Sequence, residues 1–188
     1  MKTISQLIIT MMICLFSIQT WAQSGKLFNT DNQLSSNLAT QVFQDKSGFI
    51  WIATRNGLNN YDGYHINVIK KDMSNFLGLN SNYINSIAQD EKEHILLGTN
   101  NSLLEFTGSE FLKIPMLDSK GKELATYVKQ IYPLRNKDVA VATSGYGIML
   151  KKQDEQKCHA MKGEVEKLKY IHKLLEDKRG RLWIITED

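Results

Sequence analysis

The side chains that could do chemistry in this chain are few and dispersed. Four histidines, His65, His94, His159 and His172, keep no metal-ligand spacing and read as surface or strand residues. Cys158 adjoins His159, a pairing that can mark a nucleophile or a metal site. Adjacent residues in a strand point opposite ways, however, and no further ligand stands near, so Cys158 reads as an exposed loop thiol. Asp45, Asp90 and Asp177 recur at equivalent turns, where a carboxylate closes the turn instead of serving in an acid-base pair. Trp51 and Trp183 could stack on sugar rings, but both sit in apolar strands where core packing is the expected role. No phosphate loop, nucleophile elbow or HExxH segment occurs, so no catalytic residue, metal or cofactor is expected. The binding candidates are Arg55, Asn56, Asn59, Asn60 and Tyr61, whose side chains suit sugar hydroxyls and rings. Asn and Gly in the same stretch are also plain turn formers.

These residues are positioned by a repeat. VFQDKSGFIWIAT (42–54), IAQDEKEHILLGT (87–99), IYPLRNKDVAVAT (131–143) and LLEDKRGRLWIIT (174–186) each begin with an aliphatic residue and end in Thr. The threonines at 54, 99, 143 and 186 are 45, 44 and 43 residues apart. Within the first unit, Val42-Phe43 reads as a short strand, Asp45 to Gly48 as a turn and FIWIAT as a second strand. GLNNY makes a third strand, Asp62-Gly63 a hairpin turn and HINVIKK a fourth. Four short antiparallel strands per unit describe one blade of a β-propeller. The runs FIWIA, HILLG, DVAVA and RLWII are apolar at consecutive positions and need cover on both faces, which neighbouring blades supply. Ala53, Gly98 and Ala142 fit close blade-to-blade approach, and Ile185 departs from that pattern. The expected fold is all-β: a partial propeller of about three and a half blades, with repeats near 34–78, 79–122, 123–165 and, incomplete, 166–188. The stretch from Asp154 is expected to begin as a charged excursion between the third and fourth blades, entering a strand at Tyr170.

Composition adds exclusions. With 42% hydrophobic and 23% charged residues and a net charge of +3, the chain has a globular core and no basic stripe for nucleic acid. Lys2 precedes the apolar run Leu7 to Ile18, and Thr20 and Ala22 are small residues placed for cleavage. Residues 1–22 thus read as a signal peptide, with an uncleaved N-terminal anchor as the alternative. Cys14 lacks the flanking small residues of a lipoprotein signal and leaves with the leader, so Cys158 remains without a disulfide partner.

The repeats resemble the two-component regulator propeller repeat. DKSGFIWIATRNGLNNYDGY follows its pattern with Ala53 in place of a glycine, and DKRGRLWIIT keeps Asp177, Gly180, Trp183 and Thr186. The second unit has Leu96 for the Trp and Ser102 for a Gly, and the third is degenerate in its turn. The resemblance implies an extracytoplasmic, periplasmic sensor of a hybrid two-component system, anchored in the inner membrane in its full-length relatives. It also implies an oligosaccharide ligand, with kinase and DNA-binding output domains outside this segment. Its partners would be the remaining blades and domains of a longer sensor, with a homodimer possible in the full-length form. On this reading the chain is an N-terminal or truncated part whose open edges favour self-association. The alternatives are a free-standing secreted glycan-binding or scaffold propeller and, requiring a clustered catalytic site, a propeller polysaccharide lyase.

Overall fold

A computed structural model describes residues 25–71 and 78–186, so the leader expected over 1–22 lies outside the described residues. The chain opens with a 3-10 turn at Thr30–Asn32, capped by the Asn29 side chain. Blade one is β1 (Ala39–Gln44), β2 (Ile50–Thr54), β3 (Gly57–Tyr61) and β4 (Ile66–Ile69), an antiparallel meander in that order. Blade two repeats it with β5 (Ile84–Gln89), β6 (Ile95–Thr99), β7 (Leu103–Phe106) and β8 (Phe111–Ile114).

Blade three is wider. Two short strands, β9 (Met116–Leu117) and β10 (Glu123–Leu124), precede β11 (Val128–Pro133), β12 (Val139–Thr143), β13 (Ile148–Lys151) and β14 (Cys158–Ala160). The sheet order is β10-β9-β14-β13-β12-β11, with β9 parallel to β14. A 3-10 turn at Glu164–Lys167 then leads to blade four, β15 (Ile171–Glu176) paired with β16 (Leu182–Thr186). The charged excursion expected from Asp154 therefore contains the fourth strand of blade three. That strand is only three residues long, too short to show an alternation inside a charged run.

The first strands β1, β5, β11 and β15 stand side by side in chain order, as the inner strands of successive propeller blades do. Their neighbours explain the consecutive apolar residues. In β6, Ile95 and Leu97 pack towards Trp51, Ala53 and Leu58 of blade one, while Leu96 packs towards Val128, Val139 and Val141 of blade three. In β12, Val139 and Val141 join that second cluster, and Ala140 and Ala142 meet Ile171, Leu174 and Ile184 of blade four. Strands β6 and β12 are thus buried on both faces. The small residues are needed where strands close in: a Cβ on Gly98 would lie 2.5 Å from Val128 Cγ1.

Trp51 is buried, 6% exposed, in the blade one–two interface. Trp183 departs from the core role expected for it and is 55% exposed. Its repeat position faces the following blade, and among the described residues none follows β16. Ile185, on the same face, is exposed for the same reason.

The repeated threonine has a structural task. Thr54 Oγ1 donates to the Gly57 carbonyl at 2.8 Å, Thr99 Oγ1 to that of Ser102 at 3.1 Å and Thr143 Oγ1 to that of Gly147 at 2.7 Å. All three side chains are fully buried and close the turn between second and third strands.

Candidate functional site

The repeat register, read sixteen residues before each Thr, gives Leu38, Tyr83, Tyr127 and Tyr170. Each residue immediately precedes an inner strand, so the fold carries three tyrosines to the entrances of neighbouring inner strands on one end of the propeller. Two residues later, every inner strand has a bulge: the pairing register shifts between Ala39 and Gln41, Ile84 and Ser86, Val128 and Gln130, and Ile171 and Lys173. The bulged residues are Thr40, Asn85, Lys129 and His172. A bulge leaves its residue outside the ladder and re-aims its side chain.

These positions assemble into an arc. The Tyr83 and Tyr127 rings lie 6.2 Å apart at 59°. The Arg55 guanidinium sits 5.6 Å from the Tyr83 centroid, and Lys129 Nζ sits 5.9 Å from that of Tyr127. The Tyr127 hydroxyl donates to Asn85 Oδ1 at 2.8 Å, across the blade boundary. The other end of that amide, Asn85 Nδ2, is buried without a hydrogen-bond partner. Burial and the neighbouring Tyr83 hydroxyl push the Tyr127 phenol above its ordinary range, while Arg55 pulls it down. Tyr127 is therefore a neutral donor at physiological pH. Tyr170 holds the same place on blade four and is 47% exposed.

Rings flanked by cations, a phenol oxygen able to accept and an amide N–H lacking an acceptor among the described residues make a surface suited to a flat, hydroxyl-rich ligand. Ring faces take the apolar side of such a ligand, and the polar groups take its oxygens. Among the described residues of the arc no pair of carboxylates stands together.

The five sequence candidates part company in space. Arg55 joins the arc, and Asn56 is exposed beside it on the same turn, its N–H bonded to Thr54 Oγ1 at 3.0 Å. Asn59 is fully buried and its amide is used inside the blade. It accepts from Ser35 N at 2.8 Å and donates to Ser35 Oγ and the Ile52 carbonyl at 2.8 and 2.9 Å. Asn60 lines an apolar cleft between the outer strands of blades one and two, with Trp51, Val68 and Phe106. Tyr61 packs edge-on against Phe28 at 5.0 Å, bonds the Gly63 carbonyl and accepts from Lys26 Nζ at 2.9 Å. Sequence reasoning missed the tyrosines. Extending the repeat alignment four residues upstream of the aliphatic start would have shown them.

The turn aspartates behave as expected. Asp45 Oδ1 accepts the Phe49 N–H at 3.0 Å, Asp90 Oδ1 those of Lys92 and His94 at 2.9 Å, and Asp177 Oδ1 those of Arg179 and Arg181 at 2.8 and 3.0 Å. In blades one and four the second oxygen accepts the tryptophan indole, Trp51 at 2.8 Å and Trp183 at 3.1 Å. Blade two differs: Asp90, His94 and Glu105 draw together, with His94 Nδ1 2.7 Å from Glu105 Oε1 and 3.9 Å from Asp90 Oδ2.

Cys158 corrects its sequence reading. It is a fully buried strand residue, packed in the cluster between blades two and three, and its N–H bonds the Pro115 carbonyl at 2.8 Å beside β9. Burial pushes its thiol up to about 12. His159 points the other way and pairs with Glu155 at 3.3 Å.

The profile of the two-component regulator propeller family matches residues 33–56, 78–101 and 167–188, three of the four repeat starts. At these three places the chain is similar to the two-component regulator propeller repeat. No curated protein matches it in sequence. Among solved structures, it is similar to an extracellular domain from B. thetaiotaomicron described as that of a hybrid two-component system. The TM-score is 0.64 at 17% identity, covering 80% of this chain and 22% of the other. A second such domain from the same organism gives 0.53 at 15% identity, covering 86% and 29%. A catalytically inactive virginiamycin B lyase from Staphylococcus aureus, solved with quinupristin, gives 0.64 at 10% identity, covering 88% and 54%. At these identities the likeness shows the propeller fold alone. The chain spans about a fifth to a third of the two-component relatives.

Proposed function

We propose that this chain is an extracytoplasmic sensor segment of a hybrid two-component regulator, exported by residues 1–22 to the periplasm, and that it recognises an oligosaccharide. The observation that carries the reading is the arc of Tyr83, Tyr127 and Tyr170 with Arg55, Lys129 and Asn85 at one end of the inner strands. Equivalent rings on successive blades offer successive stacking faces, which suits a chain of sugar units better than a compact metabolite. Arg55 is placed to take up an anionic substituent such as a uronate. The repeats and the extracellular two-component neighbours support the sensing context. Partners would be the remaining blades and domains of a longer sensor. The role read here is binding, supported by the stacking faces and cations of the arc.

The test is titration of the full chain with neutral and uronate-containing oligosaccharides by calorimetry, with the Tyr83→Ala and Tyr127→Ala variants alongside. Binding that weakens in both variants supports the reading. Absence of binding by every oligosaccharide, or binding that neither variant changes, overturns it.

A further inference from the structure

Blade two breaks the internal pattern of its sisters at one place. In blades one and four the turn aspartate gives its second oxygen to an indole N–H. In blade two Leu96 replaces that tryptophan, so Asp90 Oδ2 loses the donor, although Asp90 is only 6% exposed. Two further changes accompany it. His94 stands where blade one has Phe49, and Glu105 where it has Asn60. Cross-strand pairing of Leu96 with Glu105 brings these changes to one spot, and Glu105 is 2% exposed.

We propose that Asp90, His94 and Glu105 form a binding site for a divalent transition-metal cation of the zinc type. One ligand atom from each residue lies within 4.8 Å of the others. Zinc bonds to nitrogen and carboxylate oxygen of about 2.0–2.2 Å put tetrahedral ligand atoms about 3.3–3.6 Å apart. The observed separations of 2.7 and 3.9 Å bracket that spacing.

Charge makes the same case. Two carboxylates buried side by side need compensation, and both address the same imidazole nitrogen. A single imidazolium leaves the pair with excess negative charge, and its Nδ1–H is already directed at Glu105. A dication on that nitrogen satisfies both oxygens at once. The fourth coordination position opens on the side of His94, whose side chain is 32% exposed. The mixed nitrogen and oxygen set with one imidazole favours zinc over calcium or magnesium, which prefer oxygen alone. The site lies at the far end of β5 from Tyr83, about 20 Å along a six-residue strand, and stands independently of the oligosaccharide reading.

The experiment uses the full chain, stripped with chelator and titrated with Zn²⁺ by calorimetry, with Mg²⁺ and Ca²⁺ as controls. The double variant His94→Phe with Glu105→Asn restores the residues of blade one, where that combination folds. The expected result is one Zn²⁺ per chain, binding at least tenfold weaker in the double variant, and no response to Mg²⁺ or Ca²⁺. In the unmutated protein, ¹⁵N spectra should show a large Zn²⁺-induced shift at one imidazole Nδ1. Absence of Zn²⁺ binding, binding that the double variant retains in full, or an unshifted imidazole Nδ1 would overturn the assignment.

Discussion

The carboxamide of Gln41 spans two blades. Its Nε2 donates to the Ile87 carbonyl at 2.8 Å and its Oε1 accepts from the Ile87 N–H at 2.9 Å. Gln130 does the same to Leu174, at 3.3 and 2.7 Å, one blade boundary further on. Between these boundaries Ser86 Oγ accepts the Ile131 N–H at 3.0 Å. Gln41, Ser86 and Gln130 share one repeat position, the residue after the bulge. An inner strand is a sheet edge, and these side chains take up main-chain groups that the edge would otherwise leave open. The bulge has two results: it turns one side chain out to the arc and sets the next against the neighbouring blade.

Gln41→Ala removes both bonds and leaves two main-chain groups of a 1% exposed residue unpaired. Each such group costs about 1–3 kcal/mol, so the stability measured in urea should fall by roughly 2–6 kcal/mol. Gln41→Glu keeps the acceptor and loses the donor, and should fall between. An unchanged urea midpoint for Gln41→Ala would show that the bridge contributes nothing.

Much of this architecture was legible because the repeat encodes hydrogen bonds. Thr54, Thr99 and Thr143 recur since each hydroxyl closes a turn, and Asp45, Asp90 and Asp177 recur since each carboxylate gathers turn N–H groups. The continuous apolar runs were legible because two flanking blades leave no wet face. Cys158 was not, because its side chain packs in a cluster with Leu96, Leu103 and Ile114 of blade two, far from it in sequence. Trp183 was not, because the same side chain is core or surface depending on a following blade, and among the described residues none follows β16. The arc was hidden for a different reason: its tyrosines lie just before the strands, where no hydrophobic periodicity draws attention. The group around His94 required pairing across a hairpin, with Glu105 eleven residues away.

Acid stability should depend on the Asp177–Trp183 contact. The Trp183 indole N–H, followed by the Arg181 main chain, lowers the Asp177 carboxyl from 3.8 to about 2. A depressed carboxylate stabilises the fold fully above pH 3.8 and loses that contribution as pH falls through about 2. In Trp183→Phe, carbon-13 titration of Asp177 should move up towards 3.8, with the Arg179 and Arg181 bonds holding part of the shift. The acid limb of the stability curve between those values should flatten with it. An unmoved titration midpoint would rule the indole out as the cause.

The Cys158 thiol should be silent in the folded protein. Burial raises it to about 12, so almost no thiolate forms at pH 8, and the packing between blades two and three blocks access. A disulfide reagent such as DTNB should label it at the rate of local or global opening, and at once in denaturant. Labelling of the native chain within seconds would mean that the packing between blades two and three does not stay closed.

Tyr127 offers two separable contributions to ligand binding, a ring face and a hydroxyl held on Asn85. Tyr127→Phe keeps the face. Tyr127→Ala removes both and also loosens the packing of Tyr83, 6.2 Å away. An aromatic contact contributes about 0.5–1.5 kcal/mol, which is roughly a two- to twelvefold change in Kd for the alanine variant. The phenylalanine variant releases Asn85 Oδ1 and removes the phenol oxygen as an acceptor. Its effect should therefore be larger for an oligosaccharide whose hydroxyl donates to the phenol oxygen than for a deoxy analogue lacking that hydroxyl. Calorimetric titration of both variants against both ligands separates the terms. Equal losses for Tyr127→Phe and Tyr127→Ala would assign the contribution to the hydroxyl and remove the stacking role given to the ring.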